Sequence, residues 1–417
     1  FLLNYIDPMM RMIPSTFLAA SLLPVMLSAQ ECGTGRYTTA NYFTEIDSIP
    51  GVIFGSNTAV GGGNQTLRMD IYAPANDVLE LRPVVLVAFG GSFVLGSRAD
   101  VQPICSELAR RGFVAVAMDY RVGFFFPTTN STYKAVMRSV HDQRGCIRFL
   151  RKTVAEDGNP YNIDPDRIIA GGISAGAIGA VNLTYMDQPA EMPAPLAADS
   201  ANFGGMEGTS GPLGFSSDVI ACYSLSGAVG DTSWMQPGDQ PLCAVHETGD
   251  IIVPCYTEEV NALGIPSGIV VSGGHDMHER MNNLGIPNCY LEYDTTGQHV
   301  GYLTYDPETS LGLTYNFLAD IVCGNTPACQ TSMPTGISQT TGIERPWLYP
   351  VPADRSVTVD AAQPENLRVL DASGRVVLRA TLVAGKNLLD VSRLKNGLYV
   401  VVVDGEVPQR TSLVVSR

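Results

Sequence analysis

Short runs of consecutive apolar residues recur between residues 67 and 293, separated by stretches with helical periodicity. The runs 83–89, 112–119, 167–171, 219–225, 240–245 and 289–293 are apolar at neighbouring positions, not alternate ones, which is how strands covered on both faces read. Between them the spacing predicts a helix over 132–154, with Val136, Val140, Ile147, Leu150 and Val154 on one stripe and Lys134, Arg138, Arg144, Arg148 and Arg151 free to face water. A second helix is predicted over 177–186. This alternation predicts an α/β domain with a mainly parallel sheet flanked by helices. Residues 187–217, rich in Pro, Gly, Ala and Ser, break the rhythm and read as an insertion over one end of that sheet.

The pattern changes after Cys323. Residues 324–345 are mostly Thr, Ser, Gly and Pro and read as a linker. Beyond it the runs 356–359, 366–370, 376–382, 398–403 and 411–415 alternate with turn signals such as Lys395-Asn396-Gly397, predicting a small β-sandwich over 346–417. At the other end Arg11 precedes an apolar stretch over 17–27 and then Ser28 and Ala29, the order of a secretory signal peptide cleaved near Ala29. A membrane anchor is the competing reading, but the stretch is shorter than the roughly 20 apolar residues a spanning helix needs and Pro24 interrupts it. The expected organisation is therefore a leader over 1–29, a catalytic domain over 30–323, the linker, and the C-terminal domain.

Composition narrows the partners. With 45% hydrophobic and 16% charged residues, the 417-residue chain is neither disordered nor collagen-like. Its 41 acidic and 26 basic residues give a net charge of -15, which disfavours nucleic acid and anionic lipid. The acidity is confined to the first 345 residues, since the remainder carries seven acids and nine bases. Nine cysteines suit an oxidising compartment, and no C-x-x-C pair suggests zinc. The pairs Cys323–Cys329 and Cys243–Cys255 are close enough in sequence to close small loops and are the expected disulfides, although spacing does not determine connectivity.

The chemistry is carried by Gly172-Ile173-Ser174-Ala175-Gly176, a G-x-S-x-G turn between a predicted strand and a predicted helix, whose glycines let a serine hydroxyl stand exposed on a strained corner. A Ser in a glycine-rich packing loop is the bland alternative. The strand over 83–88 leads into Phe89-Gly90-Gly91-Ser92-Phe93, where small residues let backbone N–H groups approach a developing oxyanion. A nucleophile of this class needs an acid and then a histidine downstream of it.

On these two motifs the chain resembles the α/β-hydrolase superfamily, in particular carboxylesterases with an H-G-G-G-F/W loop, including feruloyl-esterase-like and acetylesterase-like proteins. The resemblance spans roughly 37–323 and takes in Asp119-Tyr120-Arg121 and Asp164-Pro165-Asp166-Arg167. It implies that Ser174 is the nucleophile and that backbone N–H groups of Gly91, Ser92 and Ala175 form the oxyanion hole. His246-Glu247-Thr248-Gly249-Asp250-Ile251-Ile252-Val253-Pro254 resembles the family's H-G-T-x-D-x-x-V-P loop and implies Asp250 as the acid, while Gly297-Gln298-His299 matches its G-x-H loop and implies His299 as the base. Asp276 and Asp294 are rival acids. Phe89 replaces the family's loop-bracing His and Ser92 its third Gly. No metal or organic cofactor is implied, and Phe93 and Trp234 are candidates for the substrate pocket wall.

The other histidines read as structural. His141 lies in a predicted helix and His246 in the loop that positions Asp250. His275, Asp276, His278 and Glu279 have a spacing compatible with metal, but a solvated polar segment explains them as well. In the tail, the segments starting at Trp347, Val369 and Leu394 resemble the type A C-terminal sorting domain of the type IX secretion system, with Val351 where that family has Asn. This implies export past the outer membrane, the secretion machinery as a partner, and no transmembrane segment. A carbohydrate-binding sandwich is the alternative, with only Trp347 and Tyr349 as stacking rings. The expected function is a secreted serine carboxylesterase acting on acetyl, feruloyl or other small or aromatic esters, with polyesters as a further candidate. A serine peptidase of the same fold shares the triad, though segment 29–67 is too short for the propeller such peptidases carry. A catalytically silent surface-binding scaffold is the non-enzymatic reading.

Overall fold

A computed structural model describes residues 31–417 apart from 124–127, 199, 263–264, 332–346, 350–352, 362, 372–374 and 405–408. The expected leader lies outside the described residues, as does most of the expected linker. The chain divides into two compact units, one before and one after residue 336.

The first unit is built on an eight-stranded sheet in the order β1-β2-β4-β3-β5-β6-β7-β10. The six anticipated runs are β3 (Arg82–Ala88), β4 (Val114–Met118), β5 (Ile163–Ile173), β6 (Ala221–Leu225), β7 (Leu242–Gly249) and β10 (Asn288–Thr296), all paired in parallel. In the middle of the sheet burial is continuous, as cover on both faces requires: all seven residues of β3 and all five of β4 and β6 are buried. The remaining strands, β1 (Ile46–Thr58) and β2 (Asn64–Pro74), form an antiparallel edge that the sequence pattern did not announce. A further hairpin, β8 (Thr257–Ala262) with β9 (Ile265–Ser272), makes its own two-stranded sheet after β7.

The long helix spans Thr129–Glu156 and starts with a capping box between Thr128 and Ser131. Its arginines correct the sequence reading. Arg144 and Arg148 are buried and do not face water, whereas Lys134, Arg138 and Arg151 are half-buried and keep part of their surface in solvent. The cause is the insertion, which lies along this helix and needs donors for its backbone carbonyls. Arg144 donates to the carbonyls of Met206, Leu183 and Met186 at 2.6, 3.0 and 2.8 Å, and Arg148 to those of Pro212, Glu207 and Ser210 at 2.7, 2.9 and 2.6 Å. A guanidinium, with five donors in a rigid fork, can satisfy several carbonyls at once. Arg151 donates in the same way to Pro165, Ser216 and Asp218.

Both expected disulfides are corrected. Cys323, at the end of the helix Pro307–Val322, pairs with Cys32, and Cys329 pairs with Cys289 at the start of β10. Cys243 and Cys255 remain free and buried, because Cys243 sits at the start of β7 while Cys255 lies beyond its other end, roughly 20 Å of strand away.

The second unit packs a three-stranded sheet, β11 (Trp347–Tyr349), β12 (Ser356–Ala361) and β15 (Gly385–Asp390), over a four-stranded one, β14 (Val376–Leu382), β13 (Glu365–Leu370), β16 (Gly397–Asp404) and β17 (Gln409–Val415). Val357, Val359, Leu367, Val369, Val401 and Leu413 fill the shared core of this antiparallel sandwich.

Candidate active site

Ser174 stands at the carboxyl end of β5, between that strand and the helix Ala175–Tyr185, with φ 53° and ψ -120°. A non-glycine residue in this region is strained, and the surroundings hold it there. Its N–H donates to the Leu225 carbonyl at 2.8 Å, and its carbonyl accepts from the Ile178 N–H at 2.9 Å. The flanking glycines are required by close packing: a Cβ on Gly172 or on Gly176 would run into the Ala88 carbonyl oxygen. The motif thus brings the end of β3 and the serine turn into direct backbone contact.

Asp250 follows β7 and His299 follows β10, so all three residues gather at the carboxyl ends of parallel strands, where open α/β sheets place their sites. His299 Nε2 lies 2.7 Å from Ser174 Oγ, and His299 Nδ1 lies 2.6 Å from Asp250 Oδ2. Asp250 Oδ1 also accepts the N–H groups of Ile252 and Val253 at 2.8 and 3.0 Å. Behind it, His246 Nδ1 accepts the Gly274 N–H at 3.0 Å, which leaves the proton on Nε2. That Nε2–H donates to the Val253 carbonyl at 3.0 Å and faces Asp250 Oδ2 at 3.5 Å. Burial alone raises the pKa of Asp250, but the hydrogen bonds from His246 and His299, the His299 charge and the Val253 N–H outweigh it and hold the carboxyl down at about 2.

The rival acids are elsewhere. Asp294 accepts from the Thr248 hydroxyl and Asp276 from Thr257 and His275; neither meets His299. His278 bonds Asn288 and Asn282, and among the described residues no three His, Cys, Asp or Glu side chains come together as a metal group would need.

The loop after β3 carries the other half of the site. Gly91, Ser92 and Phe93 all have positive φ, at 124°, 53° and 59°. Among the described residues no protein acceptor takes the N–H groups of Gly91, Ser92 or Ala175, which leaves them available to a ligand oxygen. Ser92 and Ala175 line the same cavity as Ser174; Gly91 is set back from it, its carbonyl accepting the N–H groups of Val94 and Leu95. Phe89, where the resemblance implies a histidine, is held by packing. It is 2% exposed, stacks on Tyr120 with ring centroids 4.2 Å apart, and its carbonyl accepts the Tyr120 hydroxyl at 2.8 Å.

The cavity over Ser174 holds about 350 Å³. Phe93 and Trp234 both line it. Sequence reasoning missed the rest of the wall: Tyr133, Val136 and Met137 from the long helix, Ile178 from the helix after Ser174 and Met186 just past its end, and Val260, Ile269 and Val271 from the β8–β9 hairpin. Among the described residues none of the lining side chains is charged. Asn182, polar and on the wall, is committed to the carbonyls of Ile178 and Ala228 and to the Gly230 N–H.

Residues 69–199 match the family model described as BD-FAE, and residues 347–416 match the secretion system C-terminal sorting domain. Among curated proteins, the chain is 31% identical over 118 residues to a probable isoprenylcysteine α-carbonyl methylesterase of Arabidopsis thaliana, covering 28% of this chain and 22% of that protein. It is also 31% identical over 142 residues to a non-reducing polyketide synthase of Penicillium brevicompactum, covering 32% of this chain and 6% of that one. The match therefore spans less than a quarter of the length of either relative. Among solved structures, esterase 2 of Thermogutta terrifontis, phosphoramylated by tabun, superposes with a TM-score of 0.46 at 22% identity, covering 66% of this chain and 94% of that one.

Proposed function

We propose that this chain, an α/β-hydrolase of the BD-FAE type with a secretion-sorting tail, hydrolyses carboxylic esters by a Ser174–His299–Asp250 triad. The observation that carries the reading is the pair of short hydrogen bonds through His299, 2.7 Å to Ser174 Oγ and 2.6 Å to Asp250 Oδ2, at the floor of an apolar cavity. His299 Nε2 takes the hydroxyl proton as Ser174 Oγ attacks the ester carbonyl. Asp250, a carboxylate throughout the working pH range, holds Nδ1–H and stabilises the imidazolium. The N–H groups of Ser92 and Ala175, with Gly91 behind them, receive the oxyanion. His299 then returns the proton to the leaving alcohol, and a water activated by the same imidazole cleaves the acyl-enzyme, restoring Ser174.

The cavity supports a substrate class. At about 350 Å³ it sits at the small end of small-molecule sites, and an uncharged apolar wall favours neutral esters with an aliphatic or aromatic group of modest size. The excess of acids over bases in the first 345 residues repels anionic esters as well. The tail supports delivery by the type IX machinery to the cell surface or beyond, and no helix among the described residues is long and apolar enough to cross a membrane. The proposed division is a leader over 1–29, a catalytic domain over 30–323, a linker over 324–345 and the sorting domain over 346–417.

The test is hydrolysis of p-nitrophenyl acetate, butyrate and octanoate and of methyl ferulate by the full chain and its Ser174→Ala variant. Turnover that vanishes in the variant supports the reading. A folded wild-type chain without turnover on any of the four overturns it.

A further inference from the structure

The loop that carries His299 is held in a conformation its own sequence resists. Val300, next to the base, has φ 51°, a left-handed backbone that a β-branched residue avoids because its branched Cβ crowds the neighbouring carbonyl. Such strain persists only where the surroundings over-determine it. Two groups from the end of β7 grip the loop on either side of the strained residue. On the N-terminal side, the Gly297 N–H donates to the Gly249 carbonyl at 3.0 Å. On the C-terminal side lies the carboxylate of Glu247. Its Oε2 accepts the Gly301 N–H at 3.2 Å, and its Oε1 accepts the Tyr305 hydroxyl at 3.1 Å.

Glu247 is wholly buried, at the position where the esterase motif H-G-T-x-D has glycine. Tyrosine rings enclose it. Tyr293 is its register partner on the neighbouring strand β10, Tyr302 stacks on Tyr293 at 5.4 Å, and Tyr305 meets the same ring edge-on at 5.5 Å. Burying a carboxylate behind an amide and a phenol is costly unless those hydrogen bonds are well made, so the arrangement is sensitive to their loss. The stretch 247–250 then does two things at once: Asp250 sets the orientation of the imidazole ring, and Glu247 with Gly249 sets the position of the backbone that bears it.

Resting on the hydrolase reading above, we infer that Glu247 is a positioning residue of the reaction, pinning the strained Val300 turn so that His299 Nε2 stays within hydrogen-bond reach of Ser174 Oγ. It touches no reacting atom. A displacement of about 1 Å at a proton-transfer distance costs about 100-fold in rate, which sets the scale of the effect.

The experiment compares the full-length wild type with Glu247→Gln, Glu247→Ala and the double variant Glu247→Ala/Val300→Gly. It measures kcat and KM on p-nitrophenyl butyrate and the rate at which a fluorophosphonate labels Ser174. Thermal melting establishes which variants are folded, and the near-isosteric Glu247→Gln keeps the test alive if Glu247→Ala does not fold. Glu247→Ala is expected to lower kcat about 10- to 100-fold with KM within about threefold, and to slow labelling in parallel, since both need His299 to take the Ser174 proton. Glu247→Gln, which keeps an acceptor oxygen, loses less. Adding Val300→Gly to Glu247→Ala recovers about tenfold, because glycine takes the positive φ without the steric cost that valine meets there. The inference is overturned if Gln loses as much as Ala, if kcat falls while labelling does not, or if Val300→Gly brings no recovery. A wild type that neither turns over the ester nor takes the label sinks the hydrolase reading and this inference together. A wild type that does both, matched by its Glu247 variants, sinks this inference alone.

Discussion

Acid should weaken this fold through one buried imidazole. His141 lies in the helix Thr129–Glu156, 1% exposed, with its Nε2 2.8 Å from the Gly205 carbonyl of the insertion and its ring against Phe203. Burial, helped by the guanidinium groups of Arg121, Arg144 and Arg148 and opposed by the Gly205 carbonyl, pushes its pKa from 6.5 down to about 3. In the unfolded chain the same ring takes a proton at about 6.5. Between those values the unfolded state holds a proton that the folded state refuses, so stability is complete above the upper value and drains away as pH falls toward the lower one. Each pH unit costs about 1.4 kcal/mol, so about 3 kcal/mol is lost to this group by pH 4, a large part of a typical total of 5–15 kcal/mol. His141→Gln keeps a donor in the place of Nε2 without the titration. Urea unfolding followed by tryptophan fluorescence at pH 7 and pH 4 should show the wild type losing about 3 kcal/mol more than the variant over that interval. Equal losses would refute the reasoning, because every other carboxylate and histidine is common to both chains.

Four further outcomes are expected. Asp250→Asn should lower kcat about 10,000-fold by favouring the wrong His299 tautomer; with Asp250 held down at about 2, any acid limb of the wild-type rate profile above pH 4 belongs to another group, which a pH–rate series checks. Ile178→Trp, on the cavity wall, should depress octanoate relative to acetate hydrolysis by about tenfold or more in a chain-length series. Tyr120→Phe leaves the buried Phe89 carbonyl without its donor and should cost about 1–3 kcal/mol in urea unfolding, with a fall in kcat larger than the rise in KM. Replacing Cys289 and Cys329 by Ala opens a loop of sequence separation 40 and should cost about 4 kcal/mol of unfolding free energy.

The parallel strands and the serine turn were legible because each is written locally. β3, β4 and β6 are apolar at successive positions, and the serine turn carries its glycines within five residues, although the atom that requires them, the Ala88 carbonyl oxygen, lies on β3. The edge hairpin was not, since most of β1 is exposed or half-buried and bulges at Ile49/Val52 and Ile53/Gly55 break its alternation. The cavity wall was hidden for another reason: on the short strand β8, Val260 lines the cavity next to two acidic neighbours, Glu258 and Glu259, which mask it in the sequence. Arg144 and Arg148 were misread because helical spacing says which residues share a face but not what will cover it; their partners are carbonyls some 40 to 60 residues away. The disulfides failed likewise, since neighbourhood in sequence is a poor guide once the fold brings the segment after the helix Pro307–Val322 against Cys32 and the start of β10.

The bond between Cys32 and Cys323 joins positions 291 apart and makes almost the whole catalytic unit one covalent ring. A protease that nicks a surface segment such as the insertion therefore opens the ring without releasing a fragment, and the severed ends stay tethered where they can dock again. The last helix, Pro307–Val322, cannot peel away from its own terminus, because Cys323 is stitched to the opposite end of the domain. For a protein that works outside the cell, beyond the reach of chaperones and resynthesis, durability would then be set by how slowly it is reduced as much as by how rarely it unfolds.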